Sequence, residues 1–420
     1  MYDALDSFRR KNRRAKIRFA KGTAMRTIRP VRGLWLGAVA LLVLLGGCER
    51  PPVDTVQIGH RGTGMLQVYN PRAVAEQAEL NAVPHIAEPA RMRANAPKAG
   101  DVYKNVQVLN DVTLAEFGRT MDAITAWVSP NESCAYCHIE GNFADDSKYT
   151  KVVARRMLQM VQDINRDWAP HVGQTGVTCY TCHRGQHLPA QIWFNPEANV
   201  KGASFIGNRS GQNAPSPVVG LASLPNEVLS LYLSSEASAP PVRVGGTQAL
   251  AGENRKSIQQ TEFSYGLMTH MSMSLGVNCT YCHNSRAFGS WEESSPQRVT
   301  AWQGLRMVRA INANYLSPLS GTFPEIPLGR LGASGDAAKV HCGTCHQGAY
   351  KPLYGAAMAR HYPALAGAAQ ALATPLTTPQ TASLTVPLTA PLTAPLTTPP
   401  TAPLTGPLTV PLTAPKPTSP

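Results

Sequence analysis

The sequence predicts a mainly α chain with long irregular loops, arranged as two pseudo-symmetric halves. Three observations predict it. Four separated stretches place apolar residues at helical spacing, a C-x-x-C-H pattern follows each stretch, and the second pair of stretches repeats the first in order.

Residues 49–110 are rich in Pro, Asn and Ala and show little periodicity, so extended chain is expected there, with one short helix near Pro71–Leu80. The first clear helix opens at Thr113, where Glu116 three positions later completes a capping box. Leu114, Phe117, Met121, Ile124 and Val128 form its apolar stripe. A second helix is expected over about 146–168, with Val153, Met157, Met160, Val161, Ile164 and Trp168 on one face. Residues 189–256 are loop-rich and read as a connector between the halves. A third helix is expected over roughly 261–274. A fourth starts with Ser295 as N-cap and Pro296 at its first position, and ends near Ala313. Met160, Val161, Ile164 and Asn165 of the second helix recur in register as Met307, Val308, Ile311 and Asn312 of the fourth. From about Leu365 the chain repeats Pro-Leu-Thr-x to Pro420 with almost no charge, a low-complexity composition that needs no packed core.

The net charge of +13 is unevenly placed. Residues 1–32 hold eleven Lys and Arg against Asp3 and Asp6, so the rest of the chain is close to neutral and no nucleic-acid partner is implied. The basic stretch is followed by an uncharged apolar run over 33–47, too short for a comfortable membrane span and laid out as an export signal. Met25, followed by Arg26, Arg29 and Arg32, would make a more typical start than Met1. The run ends Leu45-Gly46-Gly47-Cys48, which resembles the bacterial lipoprotein box; cleavage before Cys48 would leave its thiol for a lipid anchor.

Nine cysteines are present, and eight form four C-x-x-C-H motifs. These are Cys134/Cys137/His138, Cys179/Cys182/His183, Cys279/Cys282/His283 and Cys342/Cys345/His346. Two thiols three positions apart can add to the two vinyl groups on one edge of a haem, and the following His gives an imidazole nitrogen to its iron. Zinc sites pair C-x-x-C units without requiring His after every one. Four motifs of four with the His, in an exported chain, predict four covalent haem c groups (Fe) and leave no thiol for a structural disulfide.

Each iron needs a ligand on its other face, and Met there raises the potential relative to His. Met121 lies 13 residues before Cys134, Met268 lies 11 before Cys279, and Met157 lies 22 before Cys179. A helix laid along each haem and turning back into its motif would bring each Met over its iron; Met160 rivals Met157, and His270 or Met271 rivals Met268. The fourth motif departs from this pattern, because alignment of the halves sets Gly304 opposite Met157. Met307 aligns with Met160, and both read as core. His171 and His341 are candidates to cap the iron held by His346.

Four such motifs in two duplicated halves, an N-terminal lipid-box Cys and this ligand set resemble the tetrahaem cytochrome subunit of purple-bacterial photosynthetic reaction centres, over roughly residues 48–356. The resemblance implies the pairs His138/Met121, His183/Met157, His283/Met268 and His346/His171, three His/Met and one bis-His. It also implies a near-linear haem array docked on the L and M subunits at the periplasmic face of the inner photosynthetic membrane. A soluble periplasmic cytochrome c or high-potential iron-sulfur protein would supply electrons, and the photo-oxidised bacteriochlorophyll special pair would receive them. On this reading the chain divides into a signal peptide (1–47), an extended segment (48–110), a first haem pair (111–195), a connector (196–256), a second haem pair (257–356) and a Pro-Leu-Thr tail (357–420). An electron carrier of this kind needs no catalytic residue. The rival readings are a respiratory multihaem shuttle, whose bis-His haems need about two His each, a number that the seven His outside the motifs permit although only His171, His187, His270 and His341 lie close to a motif, and a multihaem oxidoreductase with one open iron.

Overall fold

Short-range signals in the chain set most of its helices, and long-range contacts set how these meet. The computed structural model describes residues 53–57, 66–88, 95–196, 216–244, 258–324 and 330–366. All lie in the unit Met1–Ala369; the second unit, Gln370–Pro420, lies outside the described residues. Cys48, the apolar run before it, His60 and the Pro-Leu-Thr repeat also lie outside them.

The described chain begins with an antiparallel hairpin, β1 (Asp54–Gln57) and β2 (Leu66–Tyr69), in which Asp54 pairs with Tyr69 and Gln57 with Leu66. Extended chain is the expectation for this region, and four-residue strands are too short to show alternation above it. Helix α1 (Pro71–Leu80) has the expected ends: the Asn70 side chain accepts from the Arg72 N–H at 3.0 Å, and Pro71 occupies the first turn.

Helix α2 (Leu114–Val128) is capped by Thr113, whose hydroxyl accepts from the Glu116 N–H at 3.4 Å. The other half of the expected box is not made. The Glu116 carboxylate instead takes a forked pair of bonds from Arg119 at 2.8–3.0 Å, and the Arg119 guanidinium lies 4.1 Å over the Tyr362 ring. A charge-assisted pair is stronger than one neutral N–H contact, so it wins the carboxylate. Helix α3 (Tyr149–Asp167) starts three residues later than expected, because Asp145 caps the Ser147 N–H at 2.7 Å and Asp146 pairs with Lys151 and Arg155 across the entry.

The single turn α4 (Ala169–Val172) carries His171, and α5 (Cys179–His183) is the second motif itself. Inside the expected connector stands α6 (Val228–Leu233), with Val228, Leu229, Tyr232 and Leu233 all buried. Helices α7 (Ile258–Leu275) and α8 (Pro296–Ile311) match the expected third and fourth, and α8 runs on through one wider turn at Asn312–Leu316. Helix α9 (Cys342–His346) is the fourth motif. The protein is mainly helical with long loops, and no described helix is long and apolar enough to cross a membrane.

Two apolar clusters hold these elements. One joins Trp127, Val161, Ile164, Val177, Met307 and Ile311, so α2, α3 and the far end of α8 share it. The other joins Trp193, Val219, Val228, Leu233, Leu267 and Leu305 around α6, α7 and the middle of α8. Each fully buried Leu or Val contributes about 1.5–3 kcal/mol. Met307 is buried in the first cluster and Met160 packs against it, as their register implies.

Candidate haem-attachment centres

The four motifs take two local forms. The first and third are tight 3-10 turns, Ser133–Tyr136 and Cys279–Tyr281. The second and fourth are single α-turns, α5 and α9. Each of these α-turns is pinned in the same way, by a Thr hydroxyl accepting the N–H of the residue before the motif: Thr181 from Thr178 and Thr344 from His341, both at 2.9 Å. Each ends in a left-handed residue, Arg184 and Gln347.

The imidazoles are oriented by one device throughout. Nδ1 of His138 donates to Phe143 O at 3.2 Å and Nδ1 of His283 to Phe288 O at 3.0 Å. Nδ1 of His183 donates to Gln186 O and Nδ1 of His346 to Ala349 O, each at 2.9 Å. A ring whose Nδ1 donates to a carbonyl has its lone pair on Nε2, the arrangement by which a protein aims His at a metal. Burial holds all four imidazoles below their ordinary pKa, His346 down to about 4, which keeps them neutral and able to ligate. Burial also pushes the Cys179 thiol up to about 12 and those of Cys282 and Cys342 up to about 11. Among the described residues no three Cys, His, Asp or Glu side chains converge into a metal cage, so the motifs are not combined as zinc would require. The donor set fits four covalent haems.

The supports of the motifs recur between the halves. Thr150 Oγ1 donates to Tyr136 O in the first motif, and Ser295 Oγ donates to Tyr281 O in the third, both at 2.6 Å. The Gly185 N–H after the second motif reaches Trp127 O on α2, and the Gly348 N–H after the fourth reaches Ser274 O on α7, both at 2.9 Å. Asn165 Nδ2 donates to Val177 O at 3.0 Å and its Oδ1 accepts the Val177 N–H at 2.7 Å. Asn312 does the same to Val340, at 2.9 Å each way. Val177 and Val340 each stand two residues before a motif cysteine. Sequence reasoning used the Ile-Asn pair only as an alignment mark, although the same repeat could have flagged both Asn as motif anchors.

The sixth-ligand candidates are distributed as follows. Met157 packs against the first apolar cluster and Met268 against the second, both partly buried, and Met121 is partly buried on α2. His270, the rival of Met268, is engaged at both nitrogens: Nδ1 donates to Val218 O at 3.2 Å and Nε2 accepts from Ser274 Oγ at 3.4 Å. His341 caps α9 by accepting the Gly343 N–H at 3.0 Å, and its ring lies edge-on to His270 with centroids 4.7 Å apart. His187 stacks on Tyr136 and pairs with Glu132 at 2.8 Å.

His171 stands elsewhere, facing His346 with ring centroids 6.1 Å apart. A metal–imidazole bond is about 2 Å long, which sets two imidazoles on one ion roughly 6 Å apart between centroids. His171 Nδ1 donates to Thr300 O on α8 at 2.9 Å, leaving Nε2 free, and burial lowers its pKa as well. The two residues are 175 positions apart in the sequence, beyond the reach of a local pattern.

The second and fourth motifs meet at their second cysteines, where Cys182 Sγ is joined to Cys345 Sγ. The cause is the packing of α5 on α9, which sets the second cysteines of two motifs face to face. A sulfur–sulfur bond here and a thioether from each sulfur to its own haem are alternative uses of the same two atoms. Arg184 ties this junction together, donating to Thr181 O and Cys345 O at 3.1 Å each.

Comparison with known proteins bears on the whole described region. The family model for the photosynthetic reaction centre cytochrome C subunit matches residues 49–366. The photosynthetic reaction center cytochrome c subunit of Rubrivivax gelatinosus is 54% identical over 329 residues, covering 78% of this chain and 87% of that protein. Its counterpart from Thermochromatium tepidum is 48% identical, covering 80% and 81%. The one from Roseobacter denitrificans is 41% identical, covering 80% and 91%.

Proposed function

The chain belongs to the photosynthetic reaction centre cytochrome c subunit family, and on that premise we propose that it relays electrons through four covalent haems from a soluble periplasmic donor to the photo-oxidised bacteriochlorophyll special pair. Membership makes it an electron-transfer protein rather than an enzyme, one that carries haem c and associates with the reaction centre and its membrane. The finer reading rests on the residues.

Cys134 and Cys137, Cys179 and Cys182, Cys279 and Cys282, and Cys342 and Cys345 would hold the four haems. His138, His183, His283 and His346 would ligate the irons, with Met121, Met157, Met268 and His171 opposite them in the same order. The facing of His171 and His346, with ring centroids 6.1 Å apart, carries this reading. Haem supplies reversible one-electron chemistry. The chain's own work is to aim each imidazole by its carbonyl, to choose thioether or imidazole on the other face, and to bury the result. The recurring supports favour two pseudo-symmetric halves, each with a motif pair, within the domain limits expected above. The stacking of His187 on Tyr136, the packing of α5 on α9 and the bond from Gly348 to α7 support the neighbour order first, second, fourth, third.

Placement at the periplasmic face against the L and M subunits, anchoring through a lipidated Cys48, and supply by a soluble cytochrome c or high-potential iron-sulfur protein complete the proposal, with no nucleic acid involved. A respiratory bis-His shuttle would need His187, His270 and His341 as iron ligands; His270 is bonded at both ring nitrogens, His187 pairs with Glu132 through Nε2, and His341 caps α9 through Nδ1. In washed native membranes with the haems reduced beforehand, a flash is expected to oxidise a c-type haem in step with re-reduction of the special pair. Re-reduction without any bound haem being oxidised would contradict the proposal.

A further inference from the structure

Helix α8 carries a glycine where its counterpart α3 carries a ligand candidate. Register set by Met160 with Met307 and by Asn165 with Asn312 places Gly304 opposite Met157. A glycine inside a helix costs about 1 kcal/mol relative to alanine, so its presence asks for a reason. Backbone geometry is not the reason, since Gly304 is absent from the left-handed residues. Space is. A Cβ built on Gly304 would lie 2.7 Å from Nδ1 and 2.9 Å from Nε2 of His171 and nearer still to its Cε1, and these three ring atoms are its nearest neighbours. Atoms at such separations repel steeply, and a close-packed interior gives little.

The ring has no easy way to withdraw. It is rigid and partly buried, and its Nδ1 donates to Thr300 O one turn earlier on the same helix. Its backbone is a single turn, α4, that packs directly on α8. His346 faces it on the other side.

We propose that Gly304 selects the ligand at the fourth centre: by presenting no side chain where the first half presents Met157, it opens the place that the His171 ring fills, so that an imidazole replaces a thioether opposite His346. Gly304 is thus a positioning residue acting through His171, and the inference rests on His171 and His346 sharing one iron. It makes the difference between the halves a matter of one residue on the helix and one histidine donated from the other half.

The test uses the full holoprotein, with four haems per chain checked by pyridine haemochrome and ligands read by low-temperature EPR, near-infrared magnetic circular dichroism and redox titration. Gly304→Ala is expected to disturb the bis-His signature and shift one midpoint only, leaving the three His/Met signals in place. Gly304→Met combined with His171→Gly is expected to replace the bis-His signature by a fourth Met-to-iron charge-transfer band, with the midpoint raised toward the other three. If Gly304→Ala fails to accumulate with four haems, adding His171→Gly should restore accumulation; failure to restore it overturns the inference. His171→Met alone separates the two levels. If it abolishes the bis-His signature while Gly304→Ala leaves signature and midpoint untouched, the role of Gly304 is wrong and the ligand pair stands. If His171→Met leaves the bis-His signature intact, the ligand pair itself falls and the role of Gly304 with it.

Discussion

Replacing Met268 by His is expected to lower one of four haem midpoints by on the order of 0.1 V or more, within the roughly 0.8 V that axial-ligand choice spans. The other three should stay nearly in place. Met268 lies on α7, eleven residues before the third motif and six before Ser274, whose carbonyl holds the fourth. The neighbouring His270 cannot take over, because both of its ring nitrogens are already bonded within the protein. Potentiometric titration of the purified variant, followed in the haem α-band, checks this. An unchanged set of four midpoints would remove Met268 from the ligand set.

The second large effect concerns folding. Asn312 is fully buried and makes three backbone bonds: Nδ2 to Leu233 O at 2.8 Å and to Val340 O at 2.9 Å, and Oδ1 from the Val340 N–H at 2.9 Å. It thereby clips α8 to both the connector helix α6 and the strand of chain entering the fourth motif. Asn312→Leu keeps the volume but orphans the Val340 N–H and the Leu233 carbonyl, at about 1–3 kcal/mol each. A loss of about 3 kcal/mol is expected in guanidinium unfolding followed at the Soret band. Asn165→Leu should cost a similar amount, since Asn165 makes the matching bonds to Val177 and a further one to Leu365 O at 2.8 Å. A change below about 0.5 kcal/mol in both would show that these clips are not what holds the motif entries.

Sequence reading succeeds here where one or two residues carry the physical cause. Thr113 and Pro296 mark helix starts because capping and a missing N–H act locally, and the structure begins α2 and α8 at those places; Ser295 stands at the N-cap position of α8 but its hydroxyl goes to Tyr281 O instead. Cys-x-x-Cys-His is equally local. The reading is weaker where the cause lies far along the chain. Six-residue α6 shows no period of its own and exists because Trp193, Leu267 and Leu305 bury it, so the expected connector turns out to supply core. The Glu116 carboxylate was free to cap until Arg119 and Tyr362 came within reach. Neither the junction of Cys182 with Cys345 nor the approach of His171 to His346 has a local signature. The internal repeat came closest to such a signal: it singled out Gly304 as a position with no ligand to offer, and the structure places the His171 ring against it.

The proposed ligand set holds three irons between His and Met and one between His171 and His346. Low-temperature EPR of the fully oxidised protein, integrated against haem content, tests it most directly. Four low-spin irons per chain are expected, one with bis-His character that disappears on His171→Met, and no high-spin signal. A stoichiometric high-spin iron, or bis-His character that survives that substitution, would contradict it.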